Sequence, residues 1–193
     1  LYQHRGGSVG TPAGIVEVKM VDKEGRELPV GETGEINDRG TNVMKGYFNK
    51  ADETASVLLN GWLHSGDIGR LDEDGYLYIV DRLKDMIIRG GENIYPAEIE
   101  RVLSGHPKVA QAGVIGIPDE FYGEQVMAWI QLHTGETVTE EEIRSYCRDR
   151  LAHFKVPAVI RFVEAFPMTV TGKLQKFRMR EMAAEAQAAE SEA

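Results

Sequence analysis

Asp81-Arg82-Leu83-Lys84-Asp85-Met86-Ile87-Ile88-Arg89-Gly90-Gly91-Glu92-Asn93-Ile94-Tyr95-Pro96-Ala97-Glu98-Ile99-Glu100 is where this 193-residue chain changes character. Charges of both signs at Asp81, Arg82, Lys84 and Asp85 give way to Met86-Ile87-Ile88, a short apolar strand. Gly90-Gly91 then removes two Cβ atoms at the strand end, which permits either a tight turn or the close approach of a ligand chain. Pro96 stands at the first turn of a helix, where its missing N–H costs nothing. Ile99, Val102 and Leu103 form the apolar stripe of that helix.

Upstream the pattern is one of short strands and turns. Ile15 to Val21 reads as a strand, Asp22-Lys23-Glu24-Gly25 as a turn, and Gly34-Glu35-Ile36 as part of a second strand. Ala51 to Leu59 reads as a short helix. Asp72-Glu73-Asp74-Gly75 is another turn, feeding the β formers Tyr76-Leu77-Tyr78-Ile79-Val80. Residues 1–83 are therefore expected to form a small antiparallel β unit.

Downstream, residues 84–180 read as a compact α+β domain. Gly105 is placed to cap the first helix. Val109 to Ile117 and Gln125 to Leu132 read as strands, and Val126, Ala128, Ile130 and Leu132 alternate onto one face. Thr139 and Glu142 make a capping box for a helix with the stripe Ile143, Tyr146, Cys147 and Leu151. Ala158 to Val163 is a further strand. Residues 181–193 are Ala/Glu-rich and read as a fraying helical tail.

The net charge of −9 argues against a broad nucleic-acid footprint. No apolar run approaches the roughly 18–20 residues of a membrane span. A single cysteine, Cys147, excludes an internal disulfide and fits a reducing compartment; in its helix stripe it reads as a buried, inert small hydrophobe. The five histidines, at 4, 64, 106, 133 and 153, show no metal-ligand spacing, so no metal site is expected from residues of this chain.

Near the end lies Pro167-Met168-Thr169-Val170-Thr171-Gly172-Lys173-Leu174. A glycine before a lysine lets the backbone approach a ligand and leaves a mobile ammonium at the tip, a point charge for phosphate or carboxylate. It is not a Walker A loop, which needs a glycine where Pro167 stands and Ser or Thr where Leu174 stands. A third stretch, Gly61-Trp62-Leu63-His64-Ser65-Gly66-Asp67, places a carboxylate after a Ser-Gly turn.

In this order and at these separations the three stretches resemble the AMP-forming adenylating enzymes: acyl-CoA synthetases, peptide-synthetase adenylation domains and luciferases. The wording of Ala152-His153-Phe154-Lys155-Val156-Pro157 and of the Lys173 loop is most similar to the fatty-acyl-CoA synthetase branch. An aryl- or hydroxycinnamoyl-CoA ligase is the nearest rival, and a non-catalytic interaction module is the reading from a different class. The resemblance implies that residues 1–83 are a β-barrel-like subdomain of a large AMP-binding lobe, followed by a mobile C-terminal lid domain. It implies a missing N-terminal lobe, so the chain reads as a C-terminal portion that is inactive alone. It implies ATP, CoA and a carboxylic acid as substrates, Mg2+ held by residues outside this chain, and a cytoplasmic or mitochondrial-matrix setting.

The resemblance also assigns residues. Lys173 becomes the catalytic lysine that touches carboxylate and phosphate together. Asp67 becomes the acceptor for the ribose hydroxyls, against the simpler reading of a turn-stabilising side chain. Arg82 reaches ribose or phosphate, against a surface pair with Asp81 or Asp85. Lys84 takes the hinge position. Gly90 and Gly91 line the path of the CoA arm. Tyr122 and Phe154 match adenine-stacking aromatics, with Lys155 standing in for a basic phosphate contact; plain core packing is the alternative for Phe154.

Overall fold

The computed structural model describes residues 5–191. Leu1 to His4, and the last two residues of the Ala/Glu-rich tail, lie outside the described residues. The chain forms two compact units, Leu1–Lys84 and Asp85–Ala193. The α+β class expected from the sequence is the class observed.

The first unit is built on β1 (Val16–Val21), β2 (Gly34–Gly40), α1 (Ala51–Val57), β3 (Leu58–Leu59), β4 (Trp62–Leu71) and β5 (Leu77–Arg82). Every pairing is antiparallel, in the order β1-β2-β4, with β3 and β5 sharing the other edge of β4. The two Asp-x-x-Gly turns are alike in their chemistry. Asp22 Oδ1 accepts the N–H groups of Glu24 and Arg26, and Asp72 Oδ1 those of Asp74 and Tyr76. Gly25 and Gly75 both sit at φ +78°, a conformation that carries almost no cost without a Cβ. The helix expected over Ala51 to Leu59 stops at Val57, because Leu58 and Leu59 pair back on Leu63 and Trp62. β4, which pairs with β2, β3 and β5, lies in a stretch where His64, Ser65, Gly66 and Asp67 break any apolar alternation.

The second unit contains β6 (Ile87–Arg89), β7 (Glu92–Ile94), α2 (Pro96–Ser104), β8 (Val109–Asp119), β9 (Gly123–Leu132), α3 (Glu140–Arg148), β10 (Val159–Phe162) and α4 (Lys176–Ser191). Its sheet runs β10-β9-β6-β7, with β8 also on β9; only the β9–β10 pair is parallel. The β8–β9 ribbon is buried on both faces. Val114, Val126, Ala128 and Ile130 face a core shared with Ile99 and Leu103 of α2 and Ile143 and Cys147 of α3. Ile115, Ile117, Met127 and Trp129 face a second core completed by Phe166, Met179 and Ala183. Beyond the irregularity between Val109 and Gln111, alternation along the two strands assigns successive residues to opposite cores.

α4 therefore starts five residues before the expected tail and supplies a layer of the domain. Met179 is fully buried and Ala183 nearly so. Two ion pairs fasten its first turns: Lys176 Nζ to Glu100 Oε1 at 2.8 Å and Arg180 to Asp85 Oδ1 at 2.7 Å. Thr139 and Glu142 form the expected capping box at α3, with both reciprocal hydrogen bonds present. Gly105 does cap α2 but in a right-handed conformation (φ −78°), and a Cβ there would stand a tight 3.2 Å from the Val102 carbonyl and the Tyr146 hydroxyl. No helix among the described residues is long and apolar enough to cross a membrane.

Candidate nucleotide and lysine sites

Asp67 is presented by a bulge in β4. β2 pairs Glu35 with Ile68 and then Asn37 with His64, so Ser65, Gly66 and Asp67 together oppose Ile36 alone. Such an irregularity breaks the ladder and re-aims the side chains it carries. On the other edge of β4, Asp67 is paired with Arg82 of β5, and Arg82 Nε lies 3.1 Å from Asp67 Oδ1. β5 has its own irregularity here, with Val80 inserted between the pairs Ile68–Asp81 and Gly69–Ile79. Two residues read separately from the sequence are thus direct neighbours. Asp38, on β2, joins them electrostatically: partial burial and then the Asp67 charge push its carboxyl above the usual aspartate value.

Beneath the bulge is a polar network that sequence reading missed. Glu35 Oε2 lies 2.8 Å from His64 Nδ1, and Glu35 Oε1 accepts the Gly66 N–H at 3.1 Å. His64 Nε2 is 3.2 Å from the amide nitrogen of Asn37, a residue only 2% exposed whose Oδ1 has no hydrogen-bond partner among the described residues. His64 lay inside a stretch singled out for its Asp; its partners are 27 and 29 residues away and only the β2–β4 register joins them.

Lys84 is exposed within a single 3-10 turn, Leu83–Asp85, directly after β5. Gly90 and Gly91 form the two-residue connection between β6 and β7, with φ of +59° and +89°. Positive φ at both central positions is the I′ pattern that matches strand twist, so the glycines have a sufficient structural reason to be there. Gly90 also donates its N–H to the Tyr122 carbonyl at 2.9 Å, and a Cβ on it would stand 3.3 Å from the Tyr122 ring. Tyr122 sits at the β8–β9 turn, exposed, with the Arg89 guanidinium 3.9 Å from its ring centroid. Gly90 and Tyr122 are thereby brought together. Phe154 and Lys155 have other engagements: Phe154 packs against the α2–α3 core, and Lys155 Nζ is 2.6 Å from Glu98.

The Lys173 loop is a knot of short hydrogen bonds. Thr169 donates its N–H to the Lys173 carbonyl (2.8 Å) and accepts the Lys173 N–H on its hydroxyl (3.0 Å). Its own carbonyl takes the Gly172 N–H, and its hydroxyl lies 2.9 Å from that of Thr171. Gly172 holds φ +80°. Met168 bridges Leu174, and the next bond, Gln175 N–H to Pro167 O, leads into α4. The backbone of the loop is cross-linked, while the Lys173 side chain is exposed and its ammonium has no bonding partner among the described residues.

Among the described residues no group of three or more His, Cys, Asp or Glu side chains is placed to hold a metal ion. Cys147 is buried, and burial pushes its thiol up to about 11, which makes it a poor nucleophile.

Comparison with known proteins gives consistent matches. The family described as AMP-binding enzyme matches residues 2–48, and that described as AMP-binding enzyme C-terminal domain matches residues 98–173. The chain is 46% identical over 181 residues to the mitochondrial medium-chain acyl-CoA ligase ACSF2 of Rattus norvegicus, covering 93% of this chain and 29% of that protein. It is 46% identical over 174 residues to feruloyl-CoA synthase of Amycolatopsis sp, covering 90% and 35%. Among solved structures, o-succinylbenzoate CoA synthetase from Bacillus subtilis in complex with the acyl-adenylate intermediate superposes with a TM-score of 0.83 at 42% identity, over 90% of this chain and 35% of that one. The chain spans about a third of the length of the relatives it matches.

Proposed function

The chain belongs to the AMP-binding enzyme family, and on that premise we propose that it supplies the C-terminal part of an ATP-dependent acyl-CoA ligase. The ligase would join a carboxylic acid to the α-phosphate of ATP with release of pyrophosphate. The CoA thiol would then attack the acyl carbon and release AMP. The observation that carries this reading is Lys173, an exposed ammonium on a backbone fixed by Thr169, at the last position of the C-terminal domain match.

Both partners in the first step are anions, so repulsion and positioning dominate its barrier. An ammonium touching carboxylate and phosphate oxygens together offsets that repulsion as the new bond forms. Asp67, set out of register with β2 by its bulge, offers carboxylate oxygens to the vicinal ribose hydroxyls. Arg82, already paired with it, adds a fork of donors for ribose or phosphate oxygens. Lys84, exposed in its short turn, serves as the hinge that absorbs backbone change between the two steps. Gly90, Gly91 and Tyr122 are the surface offered to the CoA arm, with Phe154 and Lys155 as more distant candidates.

Relatives of equal identity are named for a medium-chain acyl group and for a feruloyl group, so the fatty-acid and aryl-acid readings stand side by side. Lys173, Asp67 and Arg82 retained together favour the catalytic reading over a purely non-catalytic module.

The test is to assay the two half-reactions separately in the ligase that carries this chain. Lys173→Ala is expected to slow adenylation by about 100- to 1000-fold, the cost of losing one preorganised electrostatic donor. Thioester formation from preformed acyl-adenylate is expected to change little. Equal loss of both steps would overturn the assignment of Lys173. The 193-residue chain by itself is expected to catalyse no acid-dependent ATP–pyrophosphate exchange.

A further inference from the structure

Ser65, Gly66 and Asp67 fall out of register with β2, and an unpaired N–H at a partly buried position is costly. Two side chains replace the missing acceptors. Ser65 Oγ takes the Asp67 N–H at 3.1 Å, a local bond any serine at a turn could make. Glu35 Oε1 takes the Gly66 N–H at 3.1 Å, a bond across the sheet from a residue whose side chain is only 14% exposed. Glu35 then uses its second oxygen on His64 Nδ1 at 2.8 Å, at the other foot of the same bulge. One carboxylate therefore holds both the residue before Asp67 and the residue three before it.

We propose that Glu35 is a positioning residue for nucleotide binding: it fixes the β4 bulge and so sets where the Asp67 carboxylate points. His64 and Asn37 form the back of this device. With its Nδ1 proton given to Glu35, His64 accepts from the Asn37 amide nitrogen through Nε2, and that orientation leaves Asn37 Oδ1 unpaired. Retaining a buried orphan acceptor is unfavourable in itself. Here it accompanies an arrangement in which Glu35 stays an acceptor on both oxygens. The inference rests on the reading of Asp67 as the ribose acceptor, and its test separates the two.

In the ligase carrying this chain, Glu35→Ala, Glu35→Gln and Asp67→Ala are compared by their kinetics of adenylation with ATP and acid varied in turn. Glu35→Ala is expected to raise KM for ATP about tenfold, the scale of one lost charge-assisted bond, with KM for the acid unchanged and kcat altered less than about threefold. Glu35→Gln is expected to stay within about threefold of the parent. Its carbonyl can accept from Gly66, and its amide can donate to His64 once the imidazole tautomer and the Asn37 amide both flip, which also pairs Asn37 Oδ1. A general structural role would lower kcat and disturb both substrates together, and would overturn the proposal. A rise in KM for ATP in Asp67→Ala without one in Glu35→Ala overturns the proposal alone. No rise in either overturns the nucleotide reading of Asp67 and the proposal with it. Amide exchange in the unaltered protein is an independent check should Glu35→Ala fail to fold: the Gly66 N–H is expected to be protected, and exchange at the rate of an open loop contradicts the role given to Glu35.

Discussion

Arg82 and Asp67 face one another across the β4–β5 ladder, with Nε and Oδ1 3.1 Å apart. The Arg82 side chain is 62% exposed, so as a stabilising ion pair the contact contributes about 1 kcal/mol or less. On the proposed nucleotide reading, this acceptor and donor on adjacent strands are expected to matter more to ligand binding than to folding. Arg82→Ala is expected to leave the thermal midpoint nearly unchanged and to raise KM for ATP by about tenfold or more. A large fall in the midpoint with unchanged kinetics would contradict this division of roles.

Thr169 clasps both peptide groups of Lys173. Thr169→Val keeps the shape of the side chain and removes the hydroxyl that accepts the Lys173 N–H. It is expected to slow adenylation about tenfold and to spare thioester formation, while Thr169→Ser stays near the parent. Single-turnover assays of each half-reaction read the difference directly.

The raised carboxyl of Asp38 has a defined consequence for pH. Partial burial, then the Asp67 charge, favour its protonated form in the folded state. Between the unfolded value of 3.8 and the raised folded value the native state binds more protons, so stability falls as pH rises through that window. Asp38→Asn is expected to remove that loss, gaining on the parent in urea midpoint as pH rises from about 4 and then holding level. Asp67→Asn is expected to lower the Asp38 midpoint in a carbon-detected titration. An unmoved midpoint would show that burial acts alone.

Met179 tests whether α4 belongs to the domain. It is fully buried against Ile115, Met127 and Trp129. Met179→Ala is expected to cost about 2–5 kcal/mol in chemical denaturation, as for other buried large-to-small changes. A change below about 0.5 kcal/mol would return this helix to the status of a loose tail.

Much of the second unit is legible in the sequence because its signals are local. The Thr139–Glu142 box, Pro96 at a helix start and the alternation Val126, Ala128, Ile130 each depend on residues a few positions apart. α4 is less legible because its buried face is carried by Met179 and Ala183 among many alanines and glutamates, a weak contrast in any periodicity reading. β7 is hidden for a similar reason: Glu92-Asn93-Ile94 has one apolar residue, and only the Gly90-Gly91 turn folds it onto β6. Asp67 and Lys173 are picked out through the family resemblance of the stretches that hold them. Their supports are not, because Glu35 meets His64 through strand register, and Thr169 meets Lys173 through a turn whose hydroxyl geometry no spacing rule describes.

The buried thiol of Cys147 makes this chain well suited to site-directed spectroscopy. It is the sole cysteine, it is packed between α3 and the sheet, and its thiolate is scarce at neutral pH. Maleimide or nitroxide reagents will therefore react first with any cysteine introduced at an exposed position, such as Val170 at the tip of the lysine loop. Paired with a second label in the first unit, that position would report the distance between the two units in solution, with ATP or CoA added, and without first replacing the native cysteine.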